Sequence, residues 1–244
     1  MFEIIRKFCR SYINLIYPLK CVVCNSLFSA EESNNEYICS GCFKKIKFVI
    51  TSICEKCGRP SNSAICSKCN RNSKIFFNKA FHVAIYDGVF KELIHLFKYS
   101  KNDYLDRFLA GFFTEIIFQK PFLKESDFIV PVPLHWHEKL KRGYNQTELL
   151  ACEVSKKTGI PVLSNKLIKH KNIFSQTALL GRERLKNIKG AFKVKNPGIL
   201  ENKKILLIDD VFTTGATANE CAKELRKAKV KQINIITLAC SGEI

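Results

Sequence analysis

The sequence predicts an α/β protein: a mostly parallel sheet with helices on both faces, preceded by a small cysteine-rich module. Three observations predict it. Strand-like apolar runs alternate with helical patterns through 81–118, 127–159 and 205–240, the rhythm of a parallel sheet joined by crossover helices. The run Ile205, Leu206, Leu207, Ile208 is apolar at every position, as a strand buried on both faces must be. Eight of the 12 cysteines stand in four Cys-x-x-Cys pairs before residue 70. A chain of 244 residues can hold both parts. The expected division is 1–75 for an N-terminal helix and the cysteine module, and 76–244 for the α/β domain.

At the N-terminus, Phe2, Ile5, Phe8, Tyr12 and Ile16 fall on one face of a helical pattern that Pro18 stops. Arg6, Lys7 and Arg10 interrupt the apolar character and no small-residue cleavage site follows, which argues against a signal peptide. A helix docked on the rest of the protein is the favoured reading, with membrane-surface binding the lesser alternative. No apolar run approaches the ~20 residues of a membrane helix, so no membrane span is expected and the protein reads as cytoplasmic.

The four pairs are Cys21/Cys24, Cys39/Cys42, Cys54/Cys57 and Cys66/Cys69. Two thiolates separated by two residues grip one face of a tetrahedral metal, and a second pair completes its shell. Eight cysteines therefore predict two structural Zn²⁺ sites of four thiolates each. A disulfide framework does not suit a cytoplasmic protein, and a redox motif needs one such pair, not four. The short gap from Cys57 to Cys66 favours consecutive pairing, as in two ribbons, over an alternating cross-brace. Cys9, Cys152, Cys221 and Cys240 lie in apolar patterns and read as buried core thiols.

Residues 70–80 read as a linker. FHVAIYDG (81–88) alternates as a strand, Val89 to Phe97 has helical spacing, and a second helix runs from Tyr104 to Phe118 with Phe108, Phe112, Phe113 and Phe118 as core. In DFIVPVPL (127–134), Pro131 and Pro133 forbid two ladder donors, so the strand should end in a stiff exposed turn over 135–146. A helix follows from near Asn145 to Gly159. VLSNKLIKH (162–170) and GAFKV (190–194) read as further strands, separated by a polar stretch long enough to be a mobile loop. The last helix is TANECAKELRKAK and the last strand INIITLAC (233–240).

The decisive stretch is ILLIDDVFTTGAT (205–217). An apolar strand meets Asp209 and Asp210, then a turn of Thr213, Thr214, Gly215, Ala216 and Thr217 that opens a helix. Unpaired N–H groups and the positive end of the helix dipole converge at such a turn, which makes it an anion cradle. Two carboxylates beside it can accept bonds from neighbouring sugar hydroxyls. Together they point to a phosphorylated ribose. Net charge bears on partners too: the chain carries +18, and residues 135–195 alone hold 14 basic against 4 acidic residues. Such an excess suits a polyanion, nucleic acid or pyrophosphate, while lysines that solvate a face are the competing explanation.

The 205–217 stretch resembles the phosphoribosyl-pyrophosphate (PRPP) signature of type I phosphoribosyltransferases. PVPLHWHEKLKRGYNQ, LIHLFKYSKNDYL, IDDVFTTGAT and the cysteine-rich N-terminus, in that combination, resemble the ComF family of competence-associated, phosphoribosyltransferase-like proteins with a double zinc ribbon. The resemblance implies a type I phosphoribosyltransferase-like fold with ligand at the strands' C-terminal ends. It implies that Asp209 and Asp210 hold the ribose, that 213–217 hold the 5′-phosphate, and that Arg142, Asn145, Gln146 and Arg184 face the pyrophosphate with Mg²⁺. His135 and Trp136 also match the family's block. Family members carry Arg-x-Thr-x-x-Gln before the polar loop; Gln176 is kept here, but Lys171 and Ile173 replace the arginine and threonine. Phosphoribosyl transfer with release of pyrophosphate is one implied function. The other is single-stranded DNA binding in DNA uptake and recombination, with a competence helicase or other transformation proteins as partners.

Overall fold

The computed structural model describes residues 19–28, 37–50, 52–71, 74–99, 104–171 and 188–242. The expected N-terminal helix with Cys9, and Ile173, Gln176 and Arg184 of the polar loop, lie outside the described residues. Four parallel strands form the main sheet: β1 (Lys79–Ile85), β2 (Phe128–Pro131), β5 (Lys204–Phe212) and β6 (Gln232–Cys240). They lie in the order β1-β6-β5-β2. Between β2 and β5 in sequence, β3 (Leu167–Lys169) and β4 (Phe192–Val194) pair antiparallel as a separate two-stranded sheet. The short helices α1 (Ser40–Lys44) and α2 (Ser67–Arg71) belong to the cysteine module, and α5 (Pro121–Lys124) precedes β2.

The two central strands are buried along almost their whole length, which is why they read as unbroken apolar runs. Their side chains alternate between two cores. Leu206, Ile208, Ile236 and Leu238 join a core built with α3 (Gly88–Tyr99), α4 (Leu105–Gln119) and α7 (Gln146–Thr158). Ile205, Leu207, Ile233 and Ile235 join a second core with α8 (Ala216–Lys227). β1 is buried on both faces, so the alternation expected at 81–88 is replaced by continuous burial.

The cysteine module lies along the outer edge of β1. Val49 donates to Val83 O at 2.9 Å and Ile85 donates to Lys47 O at 2.9 Å, a short antiparallel lining of the far half of that edge. Cys21 and Cys42 pack into the α3/α4 core, whereas Cys54 and Cys57 pack into the α8 core. The module thus straddles the sheet edge. The segment expected to be a linker is tied down as well: Phe77 is buried, and Phe76 donates its N–H to Asn219 Oδ1 at 2.8 Å.

Several expectations change with tertiary context. The turn after Pro133 contains a short helix, α6 (Trp136–Arg142), with His135 as its N-cap and Gly143 ending it at φ 86°. Phe118 points outward at the end of α4, and Cys152 is exposed on α7; Cys221 and Cys240 are buried as expected. β5 runs on past its apolar run through Asp209 and Asp210 to Phe212, so the acid pair lies within the strand and the turn begins after it, as expected.

Candidate functional site

Neighbouring side chains on a strand point to opposite faces, so the two carboxylates occupy different surroundings. Asp210 meets Lys98, from the last turn of α3, at 2.8 Å. Burial alone would lower the ammonium's pKa, but the Asp210 carboxylate outweighs it and holds Lys98 above its usual value. Asp209 turns toward the α8 side, where Cys221 lies. It is buried and accepts the Asp210 N–H at 2.9 Å. Burial, and then the adjacent Asp210 charge, push its carboxyl up to about 8. One carboxylate is therefore ion-paired and partly open, and its neighbour is enclosed and inclined to stay neutral.

The RGYNQ block braces the end of α3 that carries Lys98. Tyr144 donates its hydroxyl to Phe97 O at 2.7 Å, and Gln146 donates to Lys98 O at 3.2 Å. These bonds satisfy carbonyls that a helix C-terminus leaves without partners. Arg142 stacks on Tyr99 at 4.8 Å, donates to the Tyr99 hydroxyl at 3.2 Å, and donates to Gln146 Oε1 at 3.2 Å. Asn145 and Thr147 both bond to Val132 O, fixing the PVP segment. Asn145 and Gln146 are buried, their amide N–H groups spent on backbone carbonyls and their amide oxygens on Thr147 and Arg142; Arg142 keeps partial exposure. His135 is buried and accepts the His137 N–H, while Trp136 is 62% exposed.

Beyond Phe212, Gly215 adopts φ 80°, and a Cβ there would lie 2.6 Å from Phe212 Cζ. Only glycine lets the turn fold back onto that ring. The backbone N–H groups of Thr213, Thr214 and Gly215 find no acceptor among the described residues, while Ala216 N–H is taken by Thr214 Oγ1 at 3.3 Å. The Thr213 carbonyl points inward, accepting from Ser241 Oγ at 2.8 Å and from Arg59 at 3.3 Å. The result is a run of unpaired donors at the sheet's C-terminal edge, directly after the strand that carries the acid pair.

Lys98, Arg59 and Ser241 were not assigned roles from sequence. Lys98 stands within the LIHLFKYSK block, but nothing local announces that it reaches residue 210. An apolar cleft of about 430 Å³, lined by Phe43, Phe48, Phe81 and Phe112, opens elsewhere between the cysteine module, β1 and α4. It contains none of these groups.

The cysteines form two sets, Cys21/Cys24/Cys39/Cys42 and Cys54/Cys57/Cys66/Cys69, with the sulfurs of each within 4.8 Å of one another. The consecutive pairing holds. A Zn–S bond of ~2.3 Å puts tetrahedral sulfurs ~3.8 Å apart. Cys24 to Cys39 and Cys57 to Cys66 each measure 3.7 Å, so the sets fit zinc. Backbone N–H groups of Cys42 and Cys66 point at Cys39 and Cys54 sulfur, as suits thiolates. Burial would raise Cys54, but hydrogen bonds from the Cys57, Cys66 and Lys56 backbone hold it to about 6; hydrogen bonding with Ser26 draws Cys24 down to about 6.

Comparison with known proteins agrees with this division of labour. The family model described as a double zinc ribbon domain matches residues 12–71, and that of a phosphoribosyl transferase domain matches 161–243. Competence protein F of Haemophilus influenzae is 30% identical over 228 residues, covering 91% of this chain and 97% of that protein. Competence protein ComFC of Bacillus subtilis is 29% identical over 239 residues, covering 91% and 95%. The DNA utilization protein YhgH of Escherichia coli is 28% identical over 192 residues, covering 77% and 83%.

Proposed function

Because the chain belongs to the ComF family of competence proteins, with a phosphoribosyl transferase domain behind a double zinc ribbon, we propose that its pocket captures PRPP or a closely related phosphoribose. The observation that carries this reading is the meeting, at one end of the sheet, of an acid pair with a turn of unpaired N–H donors. Asp210 and Asp209 accept from the ribose hydroxyls, and residues 213–217 take the 5′-phosphate. The pyrophosphate side is assigned to Arg142 and, by the family pattern alone, to Arg184, which lies outside the described residues; Mg²⁺ would supply charge neutralisation there. Lys98 joins this set, since its ammonium stands beside the carboxylate that meets the sugar.

If the pocket turns over, pyrophosphate leaves the anomeric carbon of PRPP and an acceptor base takes its place. The ribose passes through an oxocarbenium-like state that needs positioning and charge stabilisation, with no protein nucleophile. Calorimetry with PRPP and Mg²⁺ tests capture: binding is expected in the wild type and is lost when Asp209→Asn and Asp210→Asn are combined. Unchanged binding in that variant overturns the assignment. Pyrophosphate release across a panel of bases identifies a transferase, and silence across the panel identifies a receptor.

A second reading is single-stranded DNA binding along α6, supported by Trp136 and Leu140, which are exposed beside Lys139 and Lys141. An exposed indole among cations can stack on a base while the lysines follow the phosphates. The affinity should fall steeply with salt and weaken in Trp136→Ala. A salt-insensitive interaction argues against it.

A further inference from the structure

We propose that Arg59 positions the phosphate turn, and that through it the Cys54/Cys57/Cys66/Cys69 cluster governs whether that turn is formed. The ligand half of this proposal rests on the phosphoribose reading; the structural half does not. Arg59 follows the Cys54/Cys57 knuckle by two residues and is 8% exposed, rare burial for an arginine. Its guanidinium donates to Thr213 O at 3.3 Å and lies 5.6 Å from the centre of the Phe212 ring, while its own carbonyl accepts the Cys54 N–H at 2.8 Å. One residue therefore ties the Cys54/Cys57 knuckle to the turn, 154 residues away in sequence.

The direction of the bond matters. In a trans peptide the carbonyl and the following N–H point opposite ways. Arg59 and Ser241 hold the Thr213 carbonyl inward, and this turns the Thr214 N–H outward, toward the position of an anion. A second link runs in parallel. His82 bonds to Cys57 O and to Thr237 Oγ1, each at 2.7 Å, and its ring lies 4.8 Å from that of Phe212. Phe212 in turn is the ring on which Gly215 folds back. The knuckle is pressed close enough to make this rigid: a Cβ on Gly58 would lie 2.2 Å from Ala80 O. With zinc bound, the knuckle presents Arg59 at a fixed place. Without it, the cysteines no longer hold the knuckle and the carbonyl loses its charged donor.

Hydrogen exchange on the full-length, zinc-loaded protein tests this without any ligand. In Arg59→Ala, the bonded amides that depend on the turn, those of Ala216, Asn219 and Ser241, should exchange about tenfold faster, the scale of one charged hydrogen bond, while those of 146–158 are unchanged. Stripping zinc from the wild type should loosen the turn similarly. Arg59→Lys, which keeps charge without the fork, should fall between and serves if the alanine variant does not fold. The proposal is overturned if the turn keeps wild-type protection in the variants, or if 146–158 loosens equally. A PRPP titration then adds the ligand half: Arg59→Ala should bind about tenfold more weakly, for the same lost bond. If the wild type does not bind PRPP, the phosphoribose reading fails while the exchange result still decides the role of Arg59.

Discussion

At the scale of single residues, the acid pair sets the pH behaviour. Asp209 titrates near 8 in the folded protein, above its ordinary 3.8, because burial and the Asp210 charge both disfavour its ionisation. A carboxyl with a raised folded pKa contributes stability that is complete below the unfolded value and is lost as pH climbs through the folded one. Asp209→Asn removes that loss. Its melting temperature relative to wild type should therefore be distinctly more favourable at pH 9 than at pH 5. An equal difference at both pH values would falsify the raised carboxyl. Lys98 is the counterpart on the other face. Lys98→Met leaves Asp210 without its partner and should cost about 2 kcal/mol in urea unfolding. Adding Asp210→Asn should recover part of that cost, because the uncompensated charge is then gone. Strict additivity of the two changes would show that the pair is not coupled.

At the scale of elements, the knuckle carrying Gly58 and the strand carrying the acids set the tolerances. Gly58 combines φ 70° with backbone packed against it. Gly58→Ala should cost about 3 kcal/mol, from left-handed strain and overlap together. A fully stable Gly58→Ala protein with retained zinc would show that the knuckle can move off β1. The 205–217 stretch was legible because its chemistry is contiguous: strand, acids, turn and helix follow in one run. The cysteine sets were legible because metal geometry imposes a spacing on sequence. Lys98, Arg59 and Ser241 were not, since each acts on a residue far along the chain, and a lone cation or hydroxyl carries no mark of its partner. Periodicity misled at the margins. Phe118 and Cys152 sit in helical apolar patterns, but a pattern says which stripe a residue occupies, not whether another element covers that end of it. Within the RGYNQ block, the Gln146 amide holds the end of α3 and the Asn145 amide holds Val132 O, so the influence of Gln146 on Asp210 passes through Lys98.

At the scale of the whole molecule, the metal module completes the sheet. Residues 47–49 line the far half of the outer edge of β1, and removal of zinc should uncover it. Chelation is expected to produce self-association, visible by light scattering, reversed by added zinc before aggregates mature. A chelated protein that stays monomeric would mean that the 47–49 lining persists without metal. No helix among the described residues is long and apolar enough to cross a membrane.

The two clusters do not share a core, since one packs with the α3/α4 side of the sheet and the other with the α8 side. The molecule consequently has two separate points of failure. Oxidation or metal loss at Cys21/Cys24/Cys39/Cys42 damages the side that supports Lys98, and the same injury at Cys54/Cys57/Cys66/Cys69 damages the side that supports the turn. Partial zinc loss would then leave a mixed population, some copies impaired toward the sugar and others toward its phosphate.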